Sequence, residues 1–137
     1  MTVAAYSKFQ CFVGDLGGKV HNLDTDTLKI YLSNAAPSAT HTVKTDIAEI
    51  ATGSGYAGPI DIAGVWAQAG GVGTLTATGA VITAAGGSIG PFRYVILYNA
   101  TAGTLPLIAW WDNGSPVTIA DTGSFTVAVG VSIFTIT

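Results

Sequence analysis

From Ile60 onward the chain is a succession of short apolar runs broken by glycine, and no interval between them has room for a long helix. The runs are residues 60–68, 74–77, 79–84, 92–98, 106–112, 116–120, 124–129 and 131–136, with Gly70-Gly71 and Gly86-Gly87 among the breaks. Parallel neighbours need a long, usually helical crossover, whereas antiparallel neighbours close through a short turn. The spacing therefore predicts an all-β fold, an antiparallel β-sandwich or jelly-roll, and argues against a βαβ sheet.

Upstream, "TLKIYLS" (27–33) alternates, with Leu28, Ile30 and Leu32 on one face and Lys29 and Tyr31 on the other. This predicts a half-buried strand. Between Tyr6 and Leu16, Phe9, Phe12, Val13 and Leu16 have helical spacing, and Gly14, Gly17 and Gly18 limit it to a short N-terminal helix. Residues 34–45 read as a loop around Pro37. "DIAEIA" (46–51) predicts one helical turn, with Asp46 as N-cap and Glu49 three residues on. "TGSGYAGP" (52–59) is a glycine-rich loop without the lysine or the strand-to-helix setting of a phosphate loop. With no repeat, heptad or linker, residues 1–137 read as a single domain.

Charge is scarce. Only 9% of residues are charged, against about 25% in an ordinary soluble domain. A surface of Thr, Ser, Ala and Gly fits one that is covered, by copies of itself or by another protein, and the alternative is a secreted β-protein with a neutral polar surface. The expectation is a homo-oligomer. Five basic residues and a net charge of −3 leave no basic patch for nucleic acid. No apolar stretch is long enough for a transmembrane helix, so no membrane partner is expected. "MTVAAYSKFQCFVGDLGGKV" lacks a basic leader with an apolar core, which predicts no secretory signal. Cys11 stands alone, so no intrachain disulfide can form.

No catalytic constellation emerges, and the chain reads as no enzyme and as holding no cofactor or metal. His21 and His41 lie far apart in loops and read as solvated imidazoles. Asp24 and Asp26 could face a cation, but the further ligands of a calcium loop are missing. Turn capping suits "DTDT" better. Asp61, Asp112 and Asp121 are the carboxylates a hydrolase would need, and nothing in the sequence joins two of them. "NAT" (99–101) and "NGS" (113–115) match the glycosylation pattern by coincidence in this reading. In "LIAWWDNGSP" (107–116), Asn113-Gly114 predicts a two-residue hairpin turn. On a regular strand Trp110 and Trp111 point to opposite faces, one inward and the other toward a protein interface or, in a lectin-like role, a glycan.

"GPFRYVILYN" (90–99) holds the one arginine of the sequence. Alternation puts Phe92, Tyr94, Ile96 and Tyr98 on one face and Arg93, Val95 and Leu97 on the other. Both faces are apolar, so the run predicts a central strand covered on both sides. If Tyr98 pairs with Leu107, Arg93 stands opposite Asp112, and the two should form a cross-strand ion pair.

Taken in order, "HNLDTDTLKIYLSNAAP", "DIAEIATGSGYAG", "GPFRYVILYN" and "PLIAWWDNG" resemble a group of small structural proteins of tailed bacteriophages. The resemblance covers about residues 19 to 125 and rests on order and spacing; the stretch before Lys19 departs most. It implies a virion protein, such as a capsid decoration (cement) protein made in the bacterial cytoplasm. Its partners would be the major capsid protein or other virion proteins. No catalytic residue is carried over. Placement on a symmetry axis would make the protein a homotrimer. The alternative from the residues alone is a carbohydrate-binding β-sandwich module for host recognition.

Overall fold

The computed structural model of the protein describes residues 6–129 and 132–137. Residues 1–5, which open the stretch read as lacking a secretory signal, and Val131, which opens the last expected strand, lie outside them. The elements in chain order are β1 (Ser7–Lys8), α1 (Cys11–Gly17), β2 (Leu28–Ser33), β3 (Ile60–Asp61), β4 (Val65–Ala69) and β5 (Val72–Thr76). They continue with β6 (Ala80–Thr83), β7 (Ile89–Asn99), β8 (Leu107–Ile119), β9 (Ser124–Val127) and β10 (Phe134–Ile136). Every ladder between them is antiparallel. A five-stranded sheet runs β1-β8-β7-β2-β3, beside a three-stranded sheet β10-β5-β4 and a two-stranded sheet β6-β9. The fold is all-β and sandwich-like, and the helix is confined to one short N-terminal segment.

The apolar side chains fall on both faces of the five-stranded sheet. Toward the smaller sheets, Leu28, Ile30, Leu32, Val95, Leu97 and Trp111 form one core with Leu75, Ile82, Phe125, Val127 and Phe134. On the opposite face Phe9, Tyr31, Ile47, Ile96, Tyr98 and Leu107 form a second core, with Trp110 packed against it. The N-terminal segment and the 34–49 loop supply the cover there, through Phe9 and Ile47. The large sheet is thus a middle layer, and β7 is its central strand.

This second cover corrects the reading of β2. Tyr31 is fully buried, so the strand is closed on both faces. Tyr31 still satisfies its hydroxyl, which sits 3.0 Å from the Lys44 carbonyl and 3.1 Å from that of Ile47. The turn expected at 46–51 is displaced as well. A 3-10 turn spans Lys44–Asp46, so Asp46 ends it instead of opening it. Its carboxylate reaches back and accepts from the Thr42 and Val43 N–H groups at 2.9 and 3.1 Å. These bonds hold it below the usual carboxylate range. The helix begins later than expected, at Cys11, because Ser7 and Lys8 pair with Trp110 and Ala109 on the edge of β8.

The run read as one strand, 60–68, is two. Ala63 takes φ 51°, and the Asp61 carboxylate accepts its N–H at 2.8 Å. The chain breaks there and crosses from the large sheet (β3) to the three-stranded one (β4). Trp66 then lays its indole over Gly73 of β5, so close that a Cβ at position 73 would overlap the ring. Glycine supplies the space for the tryptophan.

Trp111 is 1% exposed in the first core, whereas Val81 on β6 is 65% exposed. Trp111→Ala should cost about 3–5 kcal/mol of unfolding free energy by urea titration, and Val81→Ala should stay within about 0.5 kcal/mol.

Candidate functional site

Arg93 and Asp112 meet, by a route the simple alternation does not give. Tyr98 pairs with Leu107, but Leu97 pairs with Ala109, so Ile108 is an extra residue that shifts the register by one. Asp112 consequently stands opposite Tyr94. The guanidinium reaches it from the adjacent position in a two-point contact, Nε to Oδ1 at 2.8 Å and Nη2 to Oδ2 at 3.0 Å. The guanidinium holds the Asp112 carboxyl below its ordinary range. Both side chains are partly exposed, so water screens much of the attraction. Asp112 Oδ1 also accepts the Gly114 N–H at 2.8 Å. The pair clamps a bend; each charge is spent on the other.

That bend replaces the expected hairpin. Asn113-Gly114 lies inside β8, which continues to Ile119. Tyr94 pairs with Asp112 and Phe92 with Val117, so residues 113–116 bulge out of the ladder, with Gly114 at φ 90°. The dipeptide offers the positive φ that a turn needs. Because β7 extends back to Ile89, the chain keeps a partner and does not reverse. The same irregularity moves Phe92 to the first core with Val95 and Leu97, against the alternation.

The two adjacent tryptophans take opposite faces, as a regular strand requires. Trp111 is closed in the first core and can contact neither a glycan nor a partner. Trp110 is half-buried with its ring 4.6 Å from that of Phe9, so the covering group is a residue of the same chain. The remaining carboxylates are engaged separately. Asp61 caps Ala63, and Asp121 accepts from Gly86 N–H at 3.0 Å. Among the described residues no group of three or more His, Cys, Asp or Glu side chains could hold a metal ion. No helix there is long and apolar enough to cross a membrane. Cys11 is a free thiol that burial pushes up, away from reactivity.

His21 overturns the solvated-loop reading, whereas His41 stays in its loop and accepts the Ser38 N–H at 3.1 Å. His21 is 5% exposed, with its ring 5.3 Å from Phe12. Its partner is Asn99, fully buried at the end of β7. Asn99 Oδ1 accepts the Thr101 and Ala102 N–H groups at 2.9 and 3.1 Å, which fixes the amide's orientation. Its Nδ2 therefore donates, to Asp26 Oδ2 at 2.6 Å and to His21 Nδ1 at 3.1 Å. His21 Nδ1 must be an acceptor, so the neutral ring carries its proton on Nε2. That Nε2 is buried without a hydrogen-bond partner. Asp26 also accepts the Asn22 N–H at 2.8 Å, and Asp24 N–H donates to Asn22 Oδ1 at 3.2 Å, so "DTDT" is a capped turn. The buried, engaged amide of Asn99 cannot carry a glycan.

Beside this junction lies a cleft of about 440 Å³. Leu16, Leu23, Trp66 and Ile136 line its apolar part, and Lys19, His21, Asn22 and Asp24 its polar part. Nothing in the sequence singles out Trp66, because one tryptophan in a mid-chain strand carries no mark of where it points. A second polar knot fastens the 34–58 segment to the sheet. Lys44 Nζ pairs with Glu49 Oε2 at 2.8 Å, Tyr56 Oη donates to Glu49 Oε1 at 2.7 Å, and Leu32 N–H donates to Tyr56 Oη at 3.1 Å. Lys44 also lies 4.7 Å from the Tyr31 ring centre. Burial raises both phenols well above their ordinary range, so they stay neutral.

Comparison of the chain with protein-family models, with curated proteins and with solved structures found no match.

Burial lowers the His21 pKa below its ordinary value of about 6.5, although Asp15 and Asp26 pull the other way. Below about pH 6.5 the unfolded chain binds a proton that folded His21 refuses, so stability falls as pH drops through that window and is fully present above it. Urea titrations between pH 7.5 and 5.5 should show this slope, and His21→Gln should flatten it. An unchanged slope would remove His21 as its source.

Proposed function

We propose that the protein is a structural component of a tailed-bacteriophage virion, a capsid decoration protein that stabilises the shell through protein–protein contacts. One feature carries the reading most. The outer face of the three-stranded sheet presents Val65, Ala67 and Ala69 of β4, Val72, Thr74 and Thr76 of β5, and Thr135 of β10. Strand alternation puts these on the side opposite Trp66, Leu75 and Phe134. No charged residue stands among them, and the side chains are small. Such a face carries no charge to be desolvated and little side-chain freedom to be lost when another subunit covers it. The ordered resemblance to phage structural proteins supports the same reading and supplies the partner, the major capsid protein or another virion protein. On a particle, many copies engaged at once compensate for a modest contact per copy. A homotrimer on a symmetry axis suits this arrangement.

The alternative reading, a glycan-binding module built on Trp110 and Trp111, loses support from the burial of Trp111 and the cover over Trp110.

Mass spectrometry of purified particles should find the protein in stoichiometric amount, and light scattering should give a trimer mass. Ala67→Glu, on the exposed face, should leave the melting temperature unchanged while abolishing incorporation. Absence of the protein from particles would end the proposal.

A further inference from the structure

The cleft between the α1–β2 connection and the β4–β10 sheet is not used by the surface role proposed above. Its volume of about 440 Å³ falls in the range of roughly 300–1,000 Å³ typical of small-molecule sites. Its chemistry is mixed in a particular way. The half-buried indole of Trp66 and the exposed Ile136 make an apolar wall. Asn22 and Asp24 face it from an exposed turn whose backbone is fixed by the Asp26 carboxylate and the Asn22 side-chain carbonyl. Lys19 completes the rim and has no ion-pair partner among the described residues, and neither has Asp24. His21 contributes to the lining, and its Nε2–H is a buried donor with no acceptor.

We propose that this cleft binds a neutral saccharide, with one pyranose ring against Trp66 and its hydroxyls on Asp24 and Asn22. The lining discriminates among three ligand classes. A purely apolar ligand would strip water from Asp24, Asn22 and Lys19 and return no hydrogen bond, a net cost. A phosphate or other strong anion gains little, because Lys19 and Asp24 cancel and the sole arginine is held by Asp112. A sugar ring satisfies both halves. Its C–H face packs on the indole. Its adjacent hydroxyls meet a carboxylate acceptor and an amide donor, as Asn22 spends its carbonyl on Asp24 N–H and keeps its N–H groups free for a ligand.

The test is a glycan array of neutral mono- to hexasaccharides, followed by titration of the best hit into the ¹⁵N-labelled full chain. Binding at millimolar or tighter affinity should shift the Trp66 indole N–H and the His21 ring signals. Trp66→Ala and Asp24→Asn should each weaken binding by about tenfold or more. Asp24 is exposed, so Asp24→Asn keeps the test decisive if Trp66→Ala fails to fold. Absence of binding to every neutral glycan at about 10 mM would overturn the proposal. So would binding left intact by both variants, or binding confined to anionic ligands. The site does not depend on particle assembly, and either proposal can fail while the other stands.

Discussion

The ladder between β7 and β8 sets the position of every other layer. Both strands lie within a sheet whose two faces are buried, so a one-residue slip would send each core side chain into the wrong core. The protein keeps this long ladder in place by local insertions instead of uniform pairing. Ile108 adds a residue on β8, residues 113–116 add a bulge, and an irregularity follows between Phe92 and Ile89 on the β7 side. The first two each re-aim one residue of consequence. The first turns Asp112 toward Tyr94 and leaves Arg93 within reach, and the second delivers Phe92 to the larger core, where its ring meets Phe125 at 5.0 Å.

The second core depends on that ladder and on two covers from distant parts of the chain. Phe9 arrives with the N-terminal segment, stitched to β8 by the Phe9 N–H to the Ile108 carbonyl at 3.1 Å. Ile47 arrives with a loop that the Lys44–Glu49–Tyr56 knot anchors to Leu32. Most of the few charges do local work. Lys44 answers Glu49, Arg93 answers Asp112, and Asp26, Asp46, Asp61 and Asp121 cap backbone N–H groups. The rest of the surface carries only a handful of ionised side chains, Lys19 and Asp24 among them. That is the physical content of a chain with so few ionised groups.

The sequence made the strand-rich architecture legible, because period-2 apolar runs and glycine punctuation are local signals. The central position of β7 was legible for the same reason: both of its alternating sets are apolar. The Arg93–Asp112 contact could be reached from the lone arginine and a turn-proximal aspartate, although by a register that Ile108 changes. Features that need a distant partner were not legible. Tyr31 looks solvent-facing until the 34–49 loop covers it. Asn113-Gly114 looks like a reversal until β7 proves long enough to keep β8 paired. His21 looks like a loop imidazole until Asn99, far along the chain, folds against it. Trp66 gives no sign that Gly73 across the ladder makes room for its ring.

Asn99 couples two parts of the chain through one side chain. One amide fixes the backbone after β7 through its oxygen and reads both Asp26 and His21 through its nitrogen. A hydroxyl at that position could serve one side and would orphan the other, and an alkyl group would serve neither. An aspartate would set two carboxylates against each other. The three side chains therefore act as a unit: a change at one leaves the others without their partner, and the wall of the cleft would change with them.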